Sequence, residues 1–168
     1  DLGIEGLVNA SGKHTYDVPT DSDSDGSEWE YKTGQEIITD IREARAKVNA
    51  NDGYSADTLV LPPKQYQELD KPYNDYNSET IMTYLQEQGW FDRILEISYL
   101  EGADPGGDND VGLVLDTTSS YMQLGLAVDM ERNEPYRLPN GAYQVRIEER
   151  TCGLILRRPL AVCRFDQI

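Results

Sequence analysis

Residues 59–69 read LVLPPKQYQEL. The apolar run ends in Pro62 and Pro63, which cannot continue a central strand because neither carries a backbone N–H. Pro63 is well placed to open a helix, where its fixed φ suits the first turn, and Tyr66 and Leu69 then fall on one helical face. A buried strand over 58–61 must therefore stop and pass at once into a short helix over 64–69 that docks back on its own sheet. Such a unit is usually scaffold, since fold by itself does not carry function.

Working outward, Thr33-Gly34-Gln35-Glu36 forms a capping box. Ile37, Ile38, Ile41, Ala44 and Val48 recur at helical spacing until Asn51-Asp52-Gly53 stops them, which predicts a helix over 35–50. Before it, residues 1–10 read as a short strand and 11–34 as a polar loop. After it, Ser78 is expected to cap a second helix over 79–88 that Gly89 ends. Residues 93–100 alternate as a strand, 102–110 form a Gly- and Asp-rich loop, and 111–116 and 121–130 are strands. From Tyr143 onward the chain reads as a β-ribbon, with Tyr143, Val145 and Ile147 on one face. Residues 143–156 are expected to pair with 160–165 through a tip at 157–159, which would set Cys152 opposite Cys163. Two cysteines are too few for a disulfide framework, and small buried thiols are the expectation. Without regular βαβ alternation the fold class is α+β: a mixed central sheet, two main helices packed on its opposite or adjacent faces, and a β-ribbon.

The 168 residues suffice for one core. Fifteen Lys plus Arg stand against 31 Asp plus Glu, a net charge of -16, which argues against a nucleic-acid-binding surface because phosphate contacts need clustered cations. Such acidity also suits a protein adapted to high salt. No apolar run approaches the 18 residues of a membrane span, and no signal-peptide pattern opens the chain.

Catalytic and metal-binding constellations are few. Asp21, Asp23, Asp25 and Gly26 match the opening of a calcium loop, but the twelfth position is Lys32 where a bidentate carboxylate is required. Asp104, Asp108 and Asp110 are alternative cation ligands in a stretch whose glycines otherwise read as a turn. His14 is the lone histidine and sits in a Gly/Ser/Lys-rich stretch, so no His-rich zinc site exists. There is no Gly-x-Ser-x-Gly elbow, and Glu148 and Glu149 point to opposite faces of a strand, so they cannot flank one glycosidic bond. No cofactor is expected, and nothing argues for an enzyme. Eleven tyrosines against two phenylalanines suit rings half buried at contacts between subunits. Tyr73, Tyr76, Trp90 and Phe91 flank the second helix and are the candidates.

The LVL-Pro-x-x-x-Tyr-x-x-Leu stretch resembles one in the major capsid proteins of tailed viruses and the related encapsulin shell proteins, the Hong Kong 97-type fold. Three further segments are similar to that family in the order it requires: Gly3-Ile4-Glu5-Gly6-Leu7-Val8-Asn9 to its Gly-rich strand entry, 35–50 to the first axial-domain helix, and 143–164, YQVRIEERTCGLILRRPLAVCR, to its closing strands. The resemblance implies a capsid subunit, with 1–34 of peripheral-domain origin, 35–135 an axial domain and 136–168 a peripheral ribbon. With Asp1 in place of Met, a processed or cut product is expected, and the resemblance places an arm, an extended loop and a spine helix upstream. It further implies self-assembly as pentamers and hexamers in a virion shell that encloses DNA, built in the host cytoplasm, with no small-molecule substrate and no membrane. The loop 102–110 would approach its own copies around a symmetry axis, where Asp104, Asp108 and Asp110 would repel and salt would favour assembly. An encapsulin-like compartment is the alternative on the same fold. A calcium-dependent binding module and an acid hydrolase are the alternatives of other classes.

Overall fold

The computed structural model describes residues 6–19, 28–50, 53–74, 76–104, 106–107 and 109–168. The strand–proline–helix unit stands as read: β2 (Thr58–Leu61) is buried along its whole length, and Pro63 opens α2 (Pro63–Glu68). Leu69, just past the helix, is fully buried. Helix α1 (Gly34–Asn49) starts from Thr33, whose backbone N–H donates to the Glu36 carboxylate at 2.7 Å, half of the reciprocal cap that the four-residue signature encodes.

A five-stranded sheet organises the molecule in the order β1-β11-β6-β2-β5, with β1 (His14–Asp17), β5 (Arg93–Glu96), β6 (Val111–Leu115) and β11 (Val162–Asp166) beside β2. The outer pairs β1–β11 and β2–β5 are parallel, and the inner pairs β11–β6 and β6–β2 are antiparallel. Alternation sorts its side chains cleanly. Leu59, Leu61, Val114, Cys163 and Phe165 face the cluster built by Ile37, Ile41, Ala44 and Val48 of α1 and by Ile81 and Leu85. Val60, Leu113, Leu115 and Val162 face the other way, against Leu100, Leu7, Val8, Met122 and Leu156. Both main helices therefore share one face of the sheet instead of taking one each. Each fully buried Leu or Ile contributes on the order of 1.5–3 kcal/mol relative to exposure.

Several expectations change. Residues 7–9 form a turn and not a strand, and residues 1–5 lie outside the described part. The first strand is instead β1, inside the stretch read as a polar loop; His-Thr-Tyr-Asp suffices because this edge strand alternates half-buried and exposed residues. The second helix, α3 (Ile81–Glu87), is capped by Thr80, whose hydroxyl accepts from the Thr83 N–H at 3.2 Å. Ser78 lies in β4 (Asn77–Thr80), which pairs with β3 (Pro72–Asn74), so a hairpin occupies the residues expected to begin the helix. Thr80→Ala should cost about 1 kcal/mol in denaturant unfolding and Ser78→Ala much less.

The terminal ribbon also pairs differently. β10 (Ile147–Leu156) is antiparallel to β7 (Met122–Arg132), with short β8 (Tyr136–Arg137) and β9 (Tyr143–Gln144) at the far end. Residues 162–166 leave the ribbon and enter the central sheet. The turn is not a hairpin tip, because the Arg157 and Arg158 N–H groups donate to the Tyr121 carbonyl at 2.8 and 3.3 Å and clamp the ribbon's root. Cys152 is thus exposed on the ribbon while Cys163 is buried in the sheet, and both are free thiols. The strand expected over 93–100 ends at Glu96, and Ser98–Leu100 forms a 3-10 turn.

Candidate interaction surfaces

Loop 102–110 is knit by its own carboxylates. The Asp110 carboxylate accepts from the Gly102 N–H at 3.0 Å and from the Gln65 side-chain amide at 2.8 Å. Asp104 accepts from the Asn109 N–H and side-chain amide, both at 3.2 Å. The two side chains thus shape the loop before they meet any partner; Asp108 lies outside the described residues. Asp21, Asp23 and Asp25 also lie outside them, and among the described residues no group of three or more His, Cys, Asp or Glu could hold a metal ion. His14 stands on β1 and not in a solvated loop. Burial, then the Lys47 charge, lowers its pKa.

The aromatic candidates divide. Tyr73 and Trp90 pack against the core, and Tyr84, which the sequence reading passed over, joins them: Tyr73 stacks on Tyr84 with centroids 5.1 Å apart, Trp90 meets Tyr84 edge-on at 5.8 Å, and Arg45 lies 5.8 Å over the Trp90 ring. Phe91 is buried. Tyr76, between β3 and β4, is 97% exposed and presents its ring outward. The spacing Tyr84 to Trp90 across the end of α3 was the available signal for the cluster.

A second surface was not anticipated. Met122, Leu124, Leu126, Val128 and Met130 occupy every second position of β7, interleaved with Gln123, Gly125, Asp129 and Glu131. Met122 belongs to the second core cluster, whereas Leu124 and Met130 are each 66% exposed. The apolar stripe thus runs out of the core along a ribbon that, among the described residues, pairs only with itself, and an isolated two-stranded ribbon is marginal in water. Beside its root, Val60, Leu95, Ile97, Leu100, Leu113 and Leu115 line an apolar groove of about 280 Å³ on the sheet face away from the helices.

The acidic composition conceals a buried ion pair. Lys32, the residue that spoils the calcium-loop pattern, places its ammonium 2.9 Å from Asp40 of α1 and 2.8 Å from the Pro19 carbonyl. The Trp29 indole N–H donates to the same Asp40 oxygen at 3.2 Å. Burial pushes the Asp40 carboxyl above the ordinary aspartate range, with Lys32 and Trp29 pulling it down. Lys71 donates to the carbonyls of Trp29 and Glu30, and Lys64 pairs with Glu30 at 2.9 Å, so three of the five lysines pin residues 28–32 to the body. Burial drives the Cys163 thiol up to about 12, which makes it an inert core residue. Among the described residues no helix is long and apolar enough to cross a membrane.

Comparison with known proteins places this geometry. The model of a family described as major capsid protein matches residues 1–168. Among curated proteins none matches the sequence. Of solved structures, the capsid of Myoviridae phage XM1 superposes with a TM-score of 0.78 at 15% identity, covering 97% of this chain and 53% of the phage chain. The virus-like particle from Pyrococcus furiosus gives 0.67 at 14% identity, with 95% and 58% covered. Mycobacterium phage Ogopogo gives 0.59 at 12%, with 99% and 56% covered. At such identities the likeness is one of fold, the Hong Kong 97-like fold of phage capsid proteins, and this chain spans little more than half of each of these three chains.

Proposed function

This chain belongs to the major capsid protein family, and from that membership we propose that it is the axial unit and closing ribbon of a subunit that self-assembles into a virion shell enclosing DNA. The observation that carries the reading is the match of the family model to all 168 residues. The apolar stripe on β7 supports it, since a ribbon with so much exposed apolar surface calls for further protein to cover it. We assign that cover to the part of the subunit outside these residues, because the phage XM1 chain is nearly twice as long.

In this reading the division at 35 and 135 shifts: the five-stranded sheet with α1 and α3 forms the axial unit and takes in β1 and β11 from the stretches 1–34 and 136–168, and the ribbon from Met122 to Leu156 is peripheral. Copies associate as pentamers and hexamers in the host cytoplasm, each contact weak and closure supplying collective stability. The role is structural, without a substrate or cofactor. Loop 102–110 faces the capsomer axis. Five or six copies of Asp104, Asp108 and Asp110 there repel one another, so salt or divalent cations favour assembly.

Electron microscopy of the complete subunit tests this. Closed shells are expected, in greater yield as salt rises, with replacement of the three aspartates by asparagine removing most of that salt effect. Dispersed single subunits at every salt concentration would overturn the shell reading. An unaltered salt response would remove the loop from the axis. Shells filled with protein cargo in place of DNA would favour the encapsulin-like compartment.

A further inference from the structure

The central sheet is covered on one face and left open on the other. Helices α1 and α3 close the first, whereas the second carries the apolar groove, whose lining runs out to β5 at the sheet edge. Leu95 and Ile97 stand there 41% and 39% exposed.

The backbone of β5 is open on the same side. The Arg93 and Ile97 N–H groups donate to the Asp57 and Leu61 carbonyls at 3.2 and 2.9 Å, so these odd-numbered residues turn their polar backbone groups toward β2, their parallel partner. Ile94 and Glu96 therefore direct theirs away from the sheet, and among the described residues β5 has no second partner strand. A strand laid along this edge would meet the N–H and C=O of both residues. Its alternate side chains would come down over Leu95 and Ile97 into the groove.

A neighbouring copy and the rest of the same subunit are the two sources of such a strand. If a copy supplied its sheet's other edge, β1, the side chains on this face would be Thr15 and Asp17, the register partners of Arg164 and Asp166, and neither fills an apolar groove. The subunit's own upstream part is better placed. Its entry is fixed on this face, where Leu7 and Val8 pack against the sheet and the buried Arg164 donates to the Val8 carbonyl at 3.1 Å. Leu7 itself lines the groove. Five residue steps separate residue 1 from Gly6 and span at most about 18 Å, while one strand width is about 4.8 Å. A segment on so short a link meets the edge at an effective concentration on the order of millimolar, with no second molecule required.

We infer that the segment of the complete subunit immediately before residue 1 runs as a sixth strand along β5, with its alternate apolar side chains filling the groove. The inference rests on the shell-subunit reading only for the existence of that longer chain, of which the phage XM1 chain, nearly twice as long as this one, is the precedent. The strand belongs to the same subunit and is in place before any shell forms. It calls for apolar residues at every second position of the segment.

Hydrogen exchange of the complete subunit, dispersed below the concentration at which shells close, tests this without any substitution. The Ile94 and Glu96 amides should exchange roughly a hundredfold or more slower than unstructured amides. Exchange of both at the unprotected rate overturns the sixth strand. Cysteine reactivity identifies the partner. In a Cys152→Ser background, which removes the exposed thiol, Leu95→Cys should react with a maleimide at least about tenfold slower than Tyr76→Cys, at a position 97% exposed. Aspartate in place of the segment's apolar residues should release that protection. With a second cysteine placed at successive positions before residue 1, mild oxidation should join it to position 95 within one polypeptide, and at alternate positions. Disulfides repeating every three to four residues would mean a helix and overturn the strand. Protection confined to closed shells, or a disulfide joining two polypeptides, would give the edge to a neighbouring copy and overturn it as well. Circular dichroism checks the variants, and where one fails to fold the exchange of the unaltered subunit decides. Microscopy scores shell closure separately: a protected edge in a subunit that never closes shells removes the shell reading and leaves the sixth strand standing, and shells whose dispersed subunits exchange freely at the edge do the reverse.

Discussion

Replacing Lys32 with Met is expected to destabilise the protein by about 3–5 kcal/mol. The ammonium and the Asp40 carboxylate sit 2.9 Å apart with side chains 3% and 4% exposed. Methionine fills nearly the same volume, so packing is conserved while the carboxylate keeps only the Trp29 indole as a partner. Removing one member of a buried pair leaves the other charge without solvent or counter-ion, and that desolvation is the source of the loss. Lys32→Met with Asp40→Leu should recover only part of the stability: an apolar pair of similar size is often as good as the ions, but the Trp29 indole N–H and the Pro19 carbonyl lose their partners. The pH dependence has a definite sign. With Lys32 gone, the Asp40 carboxyl rises further above its unfolded value, so the folded state binds a proton more tightly than the unfolded chain. Stability gained that way is present at low pH and lost as pH climbs through the raised value. The deficit of Lys32→Met should therefore shrink on acidification, as read by urea unfolding at several pH values. A constant deficit would place the loss elsewhere.

That pair also marks where the sequence was legible and where it was not. Lys32 was visible as the wrong residue for a calcium loop, and Asp40 as a polar interruption of an apolar helical stripe between Ile37, Ile38 and Ile41. Periodicity assigns positions to faces without saying which polar residue reaches in to meet another. The same limit operates across the fold. Helix α1 and the β2–α2 unit were readable because a capping box, a 3.6-residue stripe and two prolines act within a few residues of chain. Strand pairing acts over long separations: β7 and β10 are joined through an intervening stretch in which β8 and β9 also pair, and nothing local distinguishes that partner from β11. β1 was hidden because this edge strand needs only its alternate residues half-buried, and His-Thr-Tyr-Asp satisfies that with polar side chains. The apolar stripe at alternate positions of β7 was present in the sequence, but alternation looks the same whether the stripe meets a core or stands exposed.

The second large effect is expected where β6 and β11 cross the centre of the sheet. Gly112 pairs directly with Phe165, and the ring lies over the glycine: a Cβ added there would stand 2.5 Å from two ring carbons and closer still to Cζ. The ring has nowhere to go, because it is fully buried and stacks on buried Trp29 with centroids 5.8 Å apart at 26°. Gly112→Ala should therefore destabilise by about 1–3 kcal/mol through overpacking. Phe165→Ala should cost about 3–5 kcal/mol through lost burial and the cavity left behind. Intrinsic preference runs the other way, since alanine in a strand interior loses less backbone freedom than glycine by roughly 0.5–1 kcal/mol. Once Phe165 is alanine the obstruction is gone, and the same Gly112→Ala change should become neutral or stabilising. The double variant must then be more stable than the sum of the two single losses implies, by at least about 1 kcal/mol, as expected for residues in direct contact. Simple additivity in denaturant unfolding would mean that the ring does not rest on the glycine, and with it would go the reason that residue 112 carries no side chain at the middle of the core.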